Sequence, residues 1–152
     1  MDRENNYKLE LKDLSEDTTV THAPTTNTIT LQAPVGEIWE VVDMAYNAPA
    51  PAGSSAGTHQ LYGRYTDAVS TSFIFKIISN FGATILMFRN GFQGDVSESP
   101  SASADQYKIM RDGIIIVSNA VTFDFEYTNS TDADQVGNRK LTLLVKVRRE
   151  AI

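Results

Sequence analysis

Two runs near the end of the chain decide its fold: Phe123-Asp124-Phe125-Glu126-Tyr127-Thr128 and, after the polar loop Asn129–Asn138, Lys140-Leu141-Thr142-Leu143-Leu144-Val145-Lys146-Val147-Arg148. Phe123, Phe125 and Tyr127 alternate with Asp124, Glu126 and Thr128, and Leu141, Leu143, Val145 and Val147 alternate with Lys140, Thr142, Leu144, Lys146 and Arg148. A period of two sends one set to a buried face and the other to a wetter one. The two runs read as a long antiparallel strand pair, and the same alternation recurs upstream.

Working back from this pair, Thr28–Leu31 is a short strand by alternation and β-propensity, and Ala33-Pro34-Val35-Gly36 is a turn. Glu37–Asn47 follows as a long strand, with Ile38, Val42, Met44 and Tyr46 on one face and Trp39, Val41 and Ala45 on the other. Gln60–Thr66 reads as a strand weakened by Gly63, which suggests a bulge. Ser70–Ser79 and Ala83–Asn90 are apolar runs joined at Asn80-Phe81-Gly82, and Gln106–Met110 and Ile114–Ser118 flank Arg111-Asp112-Gly113; both read as hairpins. Ala48–Thr58 and Gly91–Asp105 are small-residue loops. Within 28–150 no helical pattern of ten residues stands out. About eight strands with regular turn signals predict an all-β, antiparallel β-sandwich.

Residues 1–24 differ in character. Tyr7, Leu9 and Leu11 fit a strand period, whereas Tyr7, Leu11 and Leu14 fit a helical turn, and both readings stay open. Thr18–Asn27, rich in Thr and holding Pro24, reads as a linker or irregular edge. The expected division is an N-terminal arm and linker over 1–27 and a β-sandwich domain over 28–152.

Composition narrows the function classes. A chain of 152 residues is one domain that buries roughly 68–70% of its unfolded surface, so it needs no covalent staple. With no cysteine, disulfides, thiolate metal sites and a cysteine nucleophile are excluded. The start Met1-Asp2-Arg3-Glu4-Asn5-Asn6 has no apolar signal region, and no run approaches the ~20 apolar residues that span a bilayer. A net charge of −6 argues against nucleic-acid binding. The charge is uneven: −3 over residues 1–24, −7 over 25–138 and +4 over 139–150. A basic last strand beside an acidic body suits neutralisation between subunits; it equally suits an edge strand whose Lys and Arg discourage wrong pairing.

No residue pattern carries catalysis. His22 and His59 lie far apart in polar sequence and read as loop residues. Many serines are present, yet no Gly-x-Ser-x-Gly elbow supports a triad. Asp124 and Glu126 share a strand face as a glycosidase pair would, but their alternation with aromatics is that of a solvated face. Asn129–Asp134 is oxygen-rich enough for calcium but lacks the EF-hand spacing and its terminal Glu. Gly36, Gly91 and Gly94 precede no helix that would cradle phosphate. The sequence therefore predicts no catalytic, metal or cofactor site. Among the aromatics Trp39, Tyr46, Tyr62, Tyr65, Phe92 and Tyr107, Trp39 is divided evenly between core and interface, and the others favour the core.

The segment Leu31-Gln-Ala-Pro-Val-Gly-Glu-Ile-Trp-Glu-Val-Val42, the run from Phe123 to Asp132 and the closing Arg139-Lys-Leu-Thr-Leu-Leu-Val-Lys-Val147 resemble small virion structural proteins of tailed bacteriophages. The resemblance covers residues 28–150 on short motifs, and no catalytic residue travels with it. It implies a jelly-roll-like domain that assembles on a particle as a trimer: a capsid decoration or cement protein, or a fibre base. The partners implied are further copies of the chain and the major capsid protein or another virion protein, with neither nucleic acid nor membrane, and the location is the virion, assembled in host cytoplasm. The arm residues Tyr7, Leu9, Leu11 and Leu14 would then dock on a neighbour, with Trp39 as a further contact. A different class remains open: a carbohydrate- or receptor-binding fibre module using the two small-residue loops with Tyr62, Phe92 or Tyr107.

Overall fold

In the computed structural model, which describes residues 7–66, 74–82, 84–89, 107–108, 115–136 and 139–149, the regular elements are all β-strands. They are β1 (Tyr7–Asp13), β2 (Thr25–Leu31), β3 (Glu37–Ala48), β4 (Gly57–Tyr65), β5 (Phe75–Asn80), β6 (Ile85–Arg89), β7 (Tyr107–Lys108), β8 (Ile116–Val117), β9 (Phe123–Thr131) and β10 (Lys140–Arg149). One sheet runs β1-β10-β3-β6, with β8 also on β3; the other runs β2-β9-β4-β5-β7. Every pairing is antiparallel. The chain is an antiparallel β-sandwich. Leaving aside the two-residue strands β7 and β8, the orders 1-10-3-6 and 2-9-4-5 are those of a jelly roll, two Greek keys wound together.

The alternation in the two C-terminal runs is real, but their pairing is not. Phe123, Phe125 and Tyr127 are buried, as are Leu141, Leu143, Val145 and Val147. β9 nevertheless lies between β2 and β4 in one sheet, and β10 between β1 and β3 in the other. Their apolar faces meet across the core instead of lying side by side. The apparent hairpin at Asn80-Phe81-Gly82 likewise joins β5 to β6 in opposite sheets. β7 and β8 also fall in different sheets, while Arg111-Asp112-Gly113 and the Gly91–Asp105 loop lie outside the described residues. A turn signal marks where the chain reverses; in a jelly roll that reversal commonly crosses from sheet to sheet.

The expected boundary at 27/28 is also corrected. β2 runs Thr25–Leu31 straight across it. Tyr7–Asp13 pairs along its full length with Thr142–Arg148 of β10, so the supposed arm is a strand of the sandwich. Glu16 and Val20 continue the contact by bridging Arg139 and Gln135, and Val20 is buried. The reason is geometric: once β10 has β3 on one side, its other edge needs a partner, and the short alternation Tyr7-Leu9-Leu11 supplies one.

The core lies between the sheets. Met44, Tyr46, Leu141, Leu143 and Val145 face Leu61, Phe75, Ile77, Phe123, Phe125 and Tyr127. The rings of Phe75, Phe123 and Phe125 stand 5.1–6.2 Å apart between centroids, within the range of tilted and edge-on aromatic contact. Gly63 exists to admit Phe75, since a Cβ there would overlap its ring. It stays in register with both neighbouring strands and marks no bulge. The bulge falls elsewhere: Val145 opposes Val41 and Leu144 opposes Asp43, leaving Val42 as the extra residue of β3. That insertion reverses the face assignment expected for the first half of the strand. Trp39 opposes Val147 and turns to the core side, while Ile38 shares the outer face with Glu40, Asp43 and Ala45.

Candidate docking face

The outer face of the β1-β10-β3 sheet is built by register. Tyr7, Leu9 and Leu11 stand opposite Arg148, Lys146 and Leu144. Ile38, Glu40 and Asp43 continue the same three rows on β3. Ile116, opposite Glu40, extends the middle row onto β8 and is 41% exposed. Leu9 and Leu11 are 56% and 72% exposed, more than a strand apolar residue keeps when its face has a cover. Burying them would contribute on the order of 1–2 kcal/mol each.

Beside these leucines sits a small charged-aromatic group. Lys146 Nζ lies 5.0 Å and Arg148 Cζ 5.9 Å from the Tyr7 ring centroid, and Arg148 reaches Glu40 at 4.0 Å. The face is thus a leucine stripe flanked by cations held over an aromatic ring, a composition that suits an apolar partner surface with an acidic rim.

β1 wears its residues inside out for an edge strand. Lys8, Glu10 and Lys12 occupy the core-side positions, opposite Val147, Val145 and Leu143. They sit at the open margin of the sandwich, where Lys12 Nζ bonds Glu10 Oε1 at 2.7 Å and lies 4.4 Å from the Trp39 ring. Lys12 holds the Glu10 carboxyl below its ordinary pKa, chiefly through this hydrogen bond. Charges turned inward on an edge strand are a known device against indiscriminate strand pairing.

Of the five residues predicted to bind a partner, Tyr7, Leu9 and Leu11 fall together on this face. Leu14 does not: its N–H donates to the Leu141 carbonyl at 2.8 Å, and its side chain packs against the core. Trp39 is half-buried on the core side, covered by Lys12 and donating Nε1–H to Glu37 Oε1 at 2.8 Å. It belongs to the margin of the core. The bulge at Val42, invisible to a simple period of two, is what turned it inward.

The residues weighed for chemistry are committed to structure. Asp124 accepts from Thr30 Oγ1 at 2.7 Å, and Glu126 pairs with Arg64 Nε at 2.5 Å, so neither is a free carboxylate. Asp132 fastens the Ala48–Thr58 loop: it accepts from Ser54 Oγ, Ser55 N–H and Ser55 Oγ at 2.6–2.8 Å, and these bonds hold its carboxyl far below the ordinary range. Asp134 takes His22 Nδ1 at 2.7 Å, which lowers its pKa too. The oxygen-rich loop thus spends its carboxylates on tying loops together. Tyr62 lies under Lys76, with Nζ 5.5 Å from the ring centroid, whereas Phe92 and the Tyr107 side chain lie outside the described residues. Tyr46 is wholly in the core, and Tyr65 stands edge-on to Phe123.

His59 is corrected from loop to core. It is fully buried on β4 and shares a 2.9 Å hydrogen bond with the Tyr127 hydroxyl. Near it lies a buried network that the sequence does not announce. Arg139 donates to the Thr18 carbonyl at 2.8 Å and to Gln135 Oε1 at 2.7 Å, and Asn129 Nδ2 donates to the Val20 and Ala133 carbonyls at 2.9 Å each. These bonds join Arg139, Gln135 and Asn129 to the Thr18 and Val20 carbonyls, so the cluster is a polar clasp that holds the 14–20 segment down. Among the described residues no group of three or more His, Asp or Glu is arranged to hold a metal ion, and no helix is long and apolar enough to cross a membrane.

No protein-family model matches the chain, and no curated protein matches its sequence.

Proposed function

We propose that this chain is a non-enzymatic virion structural protein, a decoration or cement protein that attaches to a viral shell through the outer face of its β1-β10-β3 sheet. The observation that carries this role is the exposed pair Leu9 and Leu11 on a rigid sheet, beside Tyr7, Lys146 and Arg148. Three further features support it: the jelly-roll strand order, the resemblance of the 31–42, 123–132 and 139–147 segments to phage virion proteins, and the engagement of Asp124 and Glu126, the pair weighed for catalysis, in contacts between strands. The partner is a shell protein with an apolar patch and acidic rim. Several copies on one particle add modest contacts into firm attachment.

The test is co-sedimentation with particles lacking this protein. Leu9→Asp/Leu11→Asp is expected to abolish attachment while the circular dichroism spectrum stays that of the parent, because both side chains point away from the core. Full attachment by the double variant would overturn the assignment of this face. Deleting residues 1–24 would remove β1 and Val20 from the fold, so the point variants are the test.

A further inference from the structure

The edge of β1 away from β10 carries a second surface. Among the described residues β10 is the one strand neighbour of β1. Glu16 and Arg139 exchange both backbone hydrogen bonds, at 2.9 Å each, and the Leu14 N–H bonds the Leu141 carbonyl. In an antiparallel ladder such bonded pairs recur every second residue. Lys12, Glu10 and Lys8 therefore direct their N–H and C=O groups to β10, and Tyr7, Leu9 and Leu11 direct theirs outward. The residues with exposed apolar side chains are the same ones whose backbone groups face the open edge.

We propose that a second copy of this chain pairs with this edge, β1 against β1, antiparallel about a two-fold axis at Leu9. Charge complementarity selects the register. With Leu9 opposite Leu9, each Lys8 faces Glu10 of the other copy on the core side, and each Tyr7 faces Leu11 on the outer side. Moving the axis one residue to Glu10 sets Glu10 against Glu10 and Lys8 against Lys12, like charges directly opposed. Moving it to Leu11 restores Glu10 to Lys12 but sets Leu9 against Asp13 and reaches into Leu14 and Ser15, where the chain has already left β1. The inward-turned charges thus repel neighbouring registers and admit one.

The assembly is closed and isologous, and each sheet continues into its copy. Its axis stands perpendicular to the sheet, so both outer faces look the same way. Tyr7, Leu9 and Leu11 from two copies then form one continuous apolar ribbon. This pairing does not rest on the shell-binding role: it concerns the edge of β1, and its test needs no particle.

The decisive experiment is a charge swap read by sedimentation equilibrium. The parent chain is expected to be a dimer. Lys8→Glu sets Glu against Glu at two positions and Glu10→Lys sets Lys against Lys, so each variant alone should self-associate about tenfold or more weakly. Mixed in equal amounts they should form a heterodimer, and the double swap Lys8→Glu/Glu10→Lys should restore the homodimer. Hydrogen exchange on the unaltered protein gives an independent readout: the Tyr7, Leu9 and Leu11 amides should become protected as concentration rises. A monomer or trimer with unprotected amides at 7, 9 and 11 would overturn the proposal, as would a dimer indifferent to both single substitutions.

Discussion

The guanidinium of Arg139 lies over the ring of Tyr127, with Cζ 5.3 Å from the ring centroid, and no part of Arg139 is exposed. Tyr127 lies on β9 and Arg139 immediately precedes β10 of the opposite sheet, so this contact is a polar rivet at one end of the sandwich. Among the described residues no carboxylate pairs with the buried charge; it is carried instead by the Thr18 and Gln135 oxygens and the ring face. Arg139→Ala would leave these acceptors buried and open a cavity, at an expected cost of about 3 kcal/mol or more. Arg139→Met would fill the volume and remove a desolvated charge, and should cost less. Urea unfolding of both variants checks the order; equal losses would show that the guanidinium bonds, rather than the filled space, hold this end together.

Tyr127 and Tyr46 predict opposite outcomes for the same chemical change. The Tyr127 hydroxyl bonds His59 inside the core, so Tyr127→Phe should destabilise by about 1–2 kcal/mol. The Tyr46 hydroxyl is equally buried and has no hydrogen-bond partner among the described residues. Tyr46→Phe should be neutral or stabilising by up to about 1 kcal/mol, since it removes a desolvated hydroxyl that gains nothing. Burial pushes both phenols up, so neither ionises in ordinary buffers. Thermal unfolding of the pair decides it, and the sign for Tyr46 is the sharper test.

Gly57 and Gly36 both sit at positive φ, +90° and +89°, yet they should respond differently to alanine. At Gly36 nothing lies within 4 Å of the new methyl, so the cost is the backbone preference alone, about 1 kcal/mol. At Gly57 the methyl would overlap the backbone of Ser130 and Thr131, which cannot swing aside as a side chain can. Gly57→Ala should therefore cost at least about 2 kcal/mol and disturb the β4–β9 pairing. Comparable denaturation midpoints for the two variants would contradict this.

Asp132 makes the Ala48–Thr58 loop sensitive to acid. Its hydrogen bonds from Ser54, Ser55 and Ala56 lower the folded-state pKa below the unfolded one. The stabilisation is thus complete above the unfolded value, about 3.9, and is lost as pH falls below it. The protection factors of the Ser55 and Ala56 amides, measured against their intrinsic exchange at each pH, should fall on acidification below about pH 4, and Asp132→Ala should show the same loss of protection at neutral pH. Protection factors in the parent that do not fall on acidification would refute the tether.

What was legible in the chain was its period. Phe123-Phe125-Tyr127 and Leu141-Leu143-Val145-Val147 announce buried strand faces, and β-class and strand number follow from repeating that pattern. Partner choice was not legible, because alternation says which way a side chain points and not which strand lies beside it. β9 and β10 look like a hairpin and fall in opposite sheets for that reason. Trp39 turned inward through one extra residue at Val42, an insertion that leaves no local mark. Leu14 and Leu11 look alike in sequence; they differ in parity along one ladder, so Leu14 falls on the core side with Lys12 while Leu11 stands outside. His59 and Arg139 went unseen as core residues because their burial depends on acceptors more than sixty positions away or across the sandwich.

Tyr7 opposite Arg148 has a kinetic corollary. β1 is held by β10, more than a hundred residues later in the chain, so during synthesis Tyr7–Asp13 must wait, unpaired, until Lys140–Arg149 has left the ribosome. The sheet can close only after β10 has emerged, and with such distant pairing it should close slowly. A nascent chain stalled before Lys140 would present Leu9 and Leu11 with no strand beside them, which is where a holding chaperone would find it.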